Sequence, residues 1–282
     1  MKNTTKLVNI IVMIGLFITA CGGEQCGHQW QWKVTTIHTD QIHGLETATC
    51  LLCGITSGLP REVKTSVYTT GYTYSGACYW IDDKKTDFDL SPNSRAYAMT
   101  VFGDNIYTVG YYMVSRQVAC YWRNGVKIDL YDGTGASSAR AITVLDGNIY
   151  IVGYYNDGTK NIACYWRNGI KTDLYDGIGA SSARAITVSG GSVYIAGVYN
   201  HDDPSMNIAI ACYWKDGIKI NLCDGTGFSV PESITLSGGN VYISGVYSDG
   251  NINIACYWKN EVRTDLFIGN NSRAYDIAVI VK

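Results

Sequence analysis

The sequence predicts an all-β protein: a five-bladed β-propeller of four-stranded antiparallel blades, closed by the C-terminal strand and preceded by a small Cys/His β-ribbon. Three observations predict it. The tetrapeptide Ala-Cys-Tyr-Trp recurs with its cysteine at Cys78, Cys120, Cys164, Cys212 and Cys256, in steps of 42, 44, 48 and 44 residues. Internal periods of that size belong to propellers and solenoids. Within each unit, runs of β-branched and aromatic residues are separated by Asn-Gly and Asp-Gly pairs, which accept the positive φ of tight hairpin turns. The repeat also starts and stops out of phase. Ser66–Gly71 matches the second strand of a unit and Tyr275–Val281 matches the first. The last strand is therefore expected to complete the first blade and remove the exposed edges that invite aggregation.

The third unit shows the plan. Strand A is Arg140–Val144, strand B Asn148–Tyr155, strand C Asn161–Trp166 and strand D Ile170–Tyr175. Strands B and C are apolar on both faces, so both faces should be covered. On strand D, Ile170, Thr172 and Leu174 oppose Lys171 and Asp173, so one side of D should meet water at the outer edge. A β-solenoid is the structural alternative, but its coils are shorter and need no series of four-stranded hairpins. The repeat cysteines sit at one equivalent strand position in separate blades, so they should remain unpaired as small buried hydrophobes. The tryptophans that follow should pack between blades.

The first residues differ in kind. Lys2 and Lys6 precede an apolar run, Leu7–Ile18, too short to span a bilayer, so residues 1–20 read as an export signal. The segment Ile18-Thr19-Ala20-Cys21 resembles the lipobox of bacterial lipoproteins. That resemblance implies lipidation of Cys21, residues 21–25 as anchor and linker, and a membrane as partner through several acyl chains. An ordinary cleaved signal is the alternative. Gly22 and Gly23 supply no acidic residue after the cysteine, which by the same resemblance implies the outer membrane or cell surface.

Residues 26–60 form the Cys/His module. Cys26, His28, Cys50 and Cys53 have the types and spacing of a tetrahedral zinc site, with a ribbon of roughly residues 28–36 against 47–52. With four protein ligands such a zinc is structural and leaves no open position for chemistry. A disulfide between Cys26 and Cys50 or Cys53 is the alternative in an oxidising compartment. The stretch resembles short C-x-H-x-W-x-W…T-x-x-C-x-x-C-G modules near the anchors of bacterial surface proteins, which implies a structural role. No catalytic cofactor is expected.

Residues 61–282 carry the repeat. Ala-Cys-Tyr-Trp-Arg-Asn-Gly-x-Lys-x-Asp-Leu, a small-residue loop, Ala-Ile-Thr-Val and Gly-Asn-Ile-Tyr-Ile-Val-Gly-Tyr together resemble the extracellular HAF-type repeats of bacteria. The resemblance implies repeat architecture outside the cytoplasm and no particular activity. It departs in detail, since no unit keeps a glycine after Asp-Leu.

Net charge is −2, and no basic tract of the kind that grips phosphate backbones is present, so nucleic-acid binding is not expected. Function is expected where the repeat fails. The residues opening strand A should ring the channel mouth, and they vary: Tyr97, Arg140, Arg184, Glu232 and Tyr275. The B–C loop of the fourth unit is longer than its counterparts and holds His201, Asp202 and Asp203, with the one histidine of the repeat region. The Asp-Gly-x-Gly loops at Asp132, Asp176 and Asp224 read as turns rather than calcium sites, because each supplies one carboxylate. One histidine on a surface loop makes a poor Ser-His-Asp constellation. The expectation is therefore a non-enzymatic, lipid-anchored protein of the bacterial envelope that binds protein or glycan through the propeller face. The alternatives are an envelope-assembly scaffold without a small ligand, and a carbohydrate-active enzyme using Glu232 and Asp276.

Overall fold

The computed structural model describes the backbone of residues 30–38, 43–50 and 61–64. With side chains it describes 66–131, 133–175, 177–200, 208–225, 227–267 and 271–280. The chain divides into two units, Met1–Val67 and Tyr68–Lys282.

In the first unit, β1 (Trp30–His38), β2 (His43–Cys50) and β3 (Arg61–Lys64) form one antiparallel sheet in the order β1-β2-β3. Its register sets Trp30 opposite Cys50 and His38 opposite His43. The sequence led us to expect two strands and a boundary at residue 60. Instead β3 pairs with His43–Glu46 of β2, so residues 61–64 belong to this sheet and the division falls between Val67 and Tyr68. The reason is general: a two-stranded ribbon is marginal in water, and a third strand adds a ladder. The Arg-Glu-Val-Lys sequence suits an edge, where charges deter further pairing.

The second unit is all-β, with five antiparallel sheets among the described residues. The first has three strands, β4 (Tyr68–Thr73), β5 (Gly76–Ile81) and β6 (Lys84–Asp89). The second contains β7 (Arg95–Phe102), β8 (Asn105–Met113), β9 (Gln117–Arg123) and β10 (Val126–Asp129). The third contains β11 (Ser137–Leu145), β12 (Asn148–Asn156), β13 (Asn161–Arg167) and β14 (Ile170–Asp173). The fourth contains β15 (Ser181–Ser189), β16 (Ser192–Asn200), β17 (Ala209–Lys215) and β18 (Ile218–Asn221). The fifth contains β19 (Ser229–Ser237), β20 (Asn240–Ser248), β21 (Asn253–Lys259) and β22 (Val262–Asp265). In every sheet neighbours in sequence are neighbours in space, as the turn chemistry requires. Asn168 and Gly169, for example, have φ of 49° and 84°. Asn168 Oδ1 also accepts the N–H of Ile149 at 2.8 Å, tying the C–D turn back to strand B.

Consecutive sheets pack face to face through the repeated motif. Cys78, Cys120, Cys164, Cys212 and Cys256 are fully buried and carry free thiols. Each tryptophan from the second sheet onward enters the sheet before its own. Trp122 tilts against Phe88 at 5.0 Å between ring centroids. Trp166 buries with Leu130, Trp214 with Leu174, and Trp258 with Leu222. These four tryptophans are at most 1% exposed. Sealing a large apolar side chain in this way contributes about 3 kcal/mol. The fifth tryptophan, Trp80, has no described sheet before it and is only half-buried. At the other end of the series Leu266, the counterpart of Leu130, Leu174 and Leu222, is 57% exposed.

A second contact repeats with the same period. The serine at the start of each inner strand accepts a backbone N–H from the alanine of the preceding Ala-Cys-Tyr-Trp motif. The N–H of Ala77 reaches Ser94 Oγ at 2.9 Å, that of Ala119 reaches Ser137 at 2.9 Å, and that of Ala163 reaches Ser181 at 2.8 Å. Ala211 reaches Ser229 at 2.9 Å and Ala255 reaches Ser272 at 2.8 Å. These latches fasten each inner strand to the sheet before it.

Two expectations about the edges are revised. Strand D is wetter than its alternation suggested. Ile170 is 74% exposed, and burial is confined to Leu174 and Tyr175 just beyond the strand. The D strand is outermost in its sheet, so its first residue has no neighbour to pack on. The C-terminal segment forms no strand between 271 and 280, and β4 pairs with β5 alone among the described strands. Side-chain bonds hold the segment to the fifth sheet instead: Arg273 to Glu232 at 3.0 Å, and Ser233 Oγ donating to Asp276 at 2.6 Å.

Candidate functional site

The inner strands β7, β11, β15 and β19 lie side by side, because each touches the next sheet's inner strand. Each carries a β-bulge at one equivalent position. The register shifts between Ala96 and Ala98, Ala139 and Ala141, Ala183 and Ala185, and Pro231 and Ser233. The bulged residues are therefore Tyr97, Arg140, Arg184 and Glu232, four of the five residues the sequence singled out. They do not open their strands as expected. They lie third or fourth within them, because the latch serines draw the chain into the sheet three residues earlier. A bulge leaves one residue unpaired and re-aims its side chain. Here it brings the variable residues of neighbouring sheets into contact along one row.

The bulge depends on a glycine across the ladder. A Cβ on Gly110 would fall 1.8 Å from the carbonyl oxygen of Arg95, and one on Gly153 would fall 2.0 Å from that of Ser138. Gly197 and Gly245 are equally constrained, at 2.3 and 2.2 Å from the carbonyl oxygens of Ser182 and Val230. The Val-Gly-Tyr and similar segments of strand B are thus the space into which the bulge folds. Pro231 is tolerated in β19 for the same reason, since a proline's missing N–H costs little at a bulge.

Along the row the contacts alternate. The guanidinium of Arg140 lies over the Tyr97 ring at 4.6 Å and over the Tyr154 ring at 5.6 Å. Tyr97 also meets Tyr111, with ring centroids 5.8 Å apart. Arg184 donates to Glu232 at 2.8 Å, and Glu232 takes Arg273 on its other oxygen at 3.0 Å. The Glu232 side chain is 11% exposed, so it is a largely sequestered carboxylate shared by two guanidinium groups. With the C-terminal segment beside it, the row carries Arg140, Arg184 and Arg273 together with Glu232 and Asp276, the latter accepting from Ser233 Oγ. Among the described residues no carboxylate pairs with Arg140. Tyr275, the fifth expected member, is 72% exposed and stands in the C-terminal segment rather than at a bulge.

Beside Tyr97 on the same strand, Arg95 lies over the Tyr72 ring at 4.6 Å. These two border a shallow cavity of about 370 Å³ lined by Tyr72, Thr73, Tyr74, Asn93, Ser94 and Arg95. Sequence reasoning missed this cavity. The repeated Ser-Arg-Ala-Tyr segments, Ser94–Tyr97 and Ser272–Tyr275, were the signal that could have drawn attention to it.

The loops around the row are fastened by cations of the protein itself. Arg116 Nε donates to the carbonyl oxygen of Gly135 at 3.1 Å, and its Nη2 donates to that of Gly133. Lys160 reaches the carbonyl oxygens of Gly177 and Ile178. In these two Asp-Gly-x-Gly loops a side-chain cation is held by backbone carbonyls. Among the described residues no group of three or more His, Cys, Asp or Glu side chains is placed to hold a metal ion.

Several expected site residues lie outside the described residues: Cys21, Cys26, His28, Cys53, His201, Asp202 and Asp203, and with them residues 1–25. Cys50 ends β2, where only its backbone is described. No helix among the described residues is long and apolar enough to cross a membrane.

No family model matches the sequence, and no curated protein matches it. Among solved structures the chain is similar to the crystal structure of TolB from Acinetobacter baumannii, with a TM-score of 0.50 and 10% sequence identity. The match covers 84% of this chain and 67% of the TolB chain. At that identity the likeness concerns the fold alone, and it supports a β-propeller-like repetition of antiparallel sheets.

Proposed function

We propose that residues 68–282 close into a five-bladed propeller, and that the protein is a non-enzymatic binding protein of the bacterial envelope, anchored through lipid on Cys21. It takes a protein or glycan ligand over the inner-strand row. The observation that carries the binding reading is the row itself. Latches, glycines, cysteines and tryptophans repeat from sheet to sheet, whereas the bulged side chains change from Tyr97 to Arg140, Arg184 and Glu232. Scaffold needs account for what repeats; they do not call for three different kinds of side chain at one re-aimed position.

Closure is supported by the two unfinished faces. Trp80 is half-buried where its counterparts are sealed, and Leu266 is exposed where its counterparts are buried. Each matches the other in the repeat, as Leu222 matches Trp258. Gly71, the counterpart of Gly110 and Gly153, has only the Trp80 ring near its missing Cβ, at 3.3 Å. A bulge at Tyr275 paired with β4 would use that space.

The non-enzymatic reading rests on Glu232. Both of its oxygens are held by arginines, so the carboxylate pair with Asp276 that a glycosidase would use is committed elsewhere. The lipid anchor, the outer-membrane or surface location and the structural zinc on Cys26, His28, Cys50 and Cys53 rest on the sequence motifs. A disulfide remains the alternative to zinc.

The test is binding by the full chain in detergent to arrayed glycans and to envelope proteins. A Tyr97→Ala/Arg140→Ala variant should lose the ligand that wild type retains. Arg123→Ala, at the opposite end of its sheet, should keep it. Loss with Arg123→Ala and retention by the row variant would sink the reading.

A further inference from the structure

We infer that the ligand of the inner-strand row is an acidic glycan, a polymer of uronic-acid type whose carboxylates are taken by Arg95 and Arg140. This rests on the binding reading above and narrows it to one ligand class.

The charge argument comes first. The protein as a whole is slightly negative, at −2. Locally, Arg95 and Arg140 carry charge that no described carboxylate answers, whereas Arg184 and Arg273 share Glu232. Arg140 and Arg184 occupy the same bulge position on the adjacent strands β11 and β15. Like charges at neighbouring positions oppose each other unless an anion lies between them. Glu232 serves Arg184 and Arg273, and nothing described serves Arg140 or Arg95 except the tyrosine rings beneath them. A guanidinium fixed over a ring keeps its N–H edge free, and that edge matches a carboxylate in bidentate geometry.

The lining argument separates a glycan from an acidic protein segment. Protein hot spots are desolvated pockets filled by apolar anchors. The cavity at Arg95 offers no aliphatic side chain. It offers the rings of Tyr72 and Tyr74, the hydroxyl of Thr73, the amide of Asn93 and a guanidinium, while the Ser94 hydroxyl is taken by its latch. Ring faces suit the C–H faces of a sugar, and the polar groups suit its hydroxyls. Its volume of about 370 Å³ lies at the lower end of the range for small-ligand sites. Arg95, which lines the cavity, and Tyr97 of the row lie two residues apart on β7.

The experiment is calorimetric titration of the full chain in detergent with three probes: an oligogalacturonate, its methyl ester and poly-glutamate. The oligogalacturonate should bind, and binding should weaken as sodium chloride rises from about 50 to about 300 mM. Methyl esterification removes the charge and keeps the sugar backbone, and should weaken binding by about tenfold or more. Arg140→Gln should lose about tenfold for the acid and leave the ester unchanged, while Arg123→Gln should bind as wild type does. Equal binding of acid and ester, both lost in Tyr97→Ala, would overturn the acidic assignment and leave the binding reading standing. Poly-glutamate binding as tightly as the uronate would overturn the glycan assignment. No binding of any probe would overturn the inference, and the array and envelope-protein experiment would then decide the broader reading.

Discussion

The Ser272 hydroxyl accepts the backbone N–H of Ala255 at 2.8 Å, and in doing so it makes the fifth in a series of identical latches. The other four sit where an inner strand leaves one sheet and begins the next. Ser272 occupies that position although no strand follows it among residues 271–280. The segment is therefore seated as an inner strand would be at its start, ahead of any pairing with β4.

Removing a latch should cost about 1–2 kcal/mol, because the alanine N–H is left without its acceptor. Ser181→Ala and Ser229→Ala should each show this in urea unfolding. If the ring is closed, Ser272→Ala should cost as much as Ser229→Ala. A Ser272→Ala variant as stable as wild type would mean that the tail contributes nothing to the fold.

The glycines give a sharper comparison. Gly153→Ala should destabilise by roughly 3 kcal/mol or more, since the new Cβ would meet backbone rather than a movable side chain. Gly71→Ala tests closure, because a paired C-terminal strand would add a backbone clash to the contact with the movable Trp80 ring. Leu266→Ala reads the same event from the other side, and in a closed ring should cost about 2–5 kcal/mol. Near-zero effects at both Gly71 and Leu266 in thermal or urea unfolding would show that the ring stays open.

The repeat thiols should be inert in the folded protein. Burial pushes the Cys256 thiol up to about 12 and those of Cys120, Cys164 and Cys212 well above the ordinary range. The thiolate is the reactive form, so alkylation should be slow. Cys223 is only partly buried and lies 3.0 Å from Ser229 Oγ. Iodoacetamide at pH 8 followed by mass spectrometry should modify Cys223 before any of the five motif cysteines. Modification of Cys164 at the rate of Cys223 would contradict this packing.

Asp157 should titrate low. Its Oδ1 accepts the N–H groups of Thr159 and Lys160 at 2.8 and 2.9 Å and the Thr159 hydroxyl at 2.7 Å. The backbone N–H of Lys160 contributes most, and together these bonds lower the pKa to about 2. The folded value lies below the unfolded one, so the carboxylate favours the ordered loop above about pH 4, and that contribution disappears as pH falls towards 2. Carboxyl NMR shifts between pH 5 and 2 should locate the midpoint near 2. A midpoint near 3.9 would show that the loop bonds do not form in solution.

The Cys/His module should carry one zinc per chain if the ligands are Cys26, His28, Cys50 and Cys53. Elemental analysis of protein purified without chelator checks this. A metal-free chain in which Cys26 and one of Cys50 and Cys53 resist alkylation until reduced would establish the disulfide instead.

Much of the fold was legible because its determinants are local. Asn168-Gly169 announces a turn by needing positive φ at both residues, and the alternation along Asn161–Arg167 announces a strand buried on both faces. The bulge was not legible in the same way. Arg140 reads as one more residue of an alternating strand, and only the close approach of Ser138 to Gly153 leaves it unpaired. The latch had a visible signal that went unused. Ser94, Ser137, Ser181, Ser229 and Ser272 hold one position in every unit, but the alanine each one meets is some eighteen residues away on a different strand.

By itself, then, the sequence determined the all-β class, the period, the turns, and the burial of the five motif cysteines and of four of the five motif tryptophans, Trp80 being only half-buried. These follow from backbone preferences and from side-chain alternation within a few residues. Tertiary structure alone decided that β3 joins the first sheet, that Tyr97, Arg140, Arg184 and Glu232 stand at bulges rather than at the openings of their strands, and that the C-terminal segment is tied to the fifth sheet through Glu232 and Ser233. Each of those depends on which distant backbone lies alongside, a matter of packing between strands that no local pattern encodes.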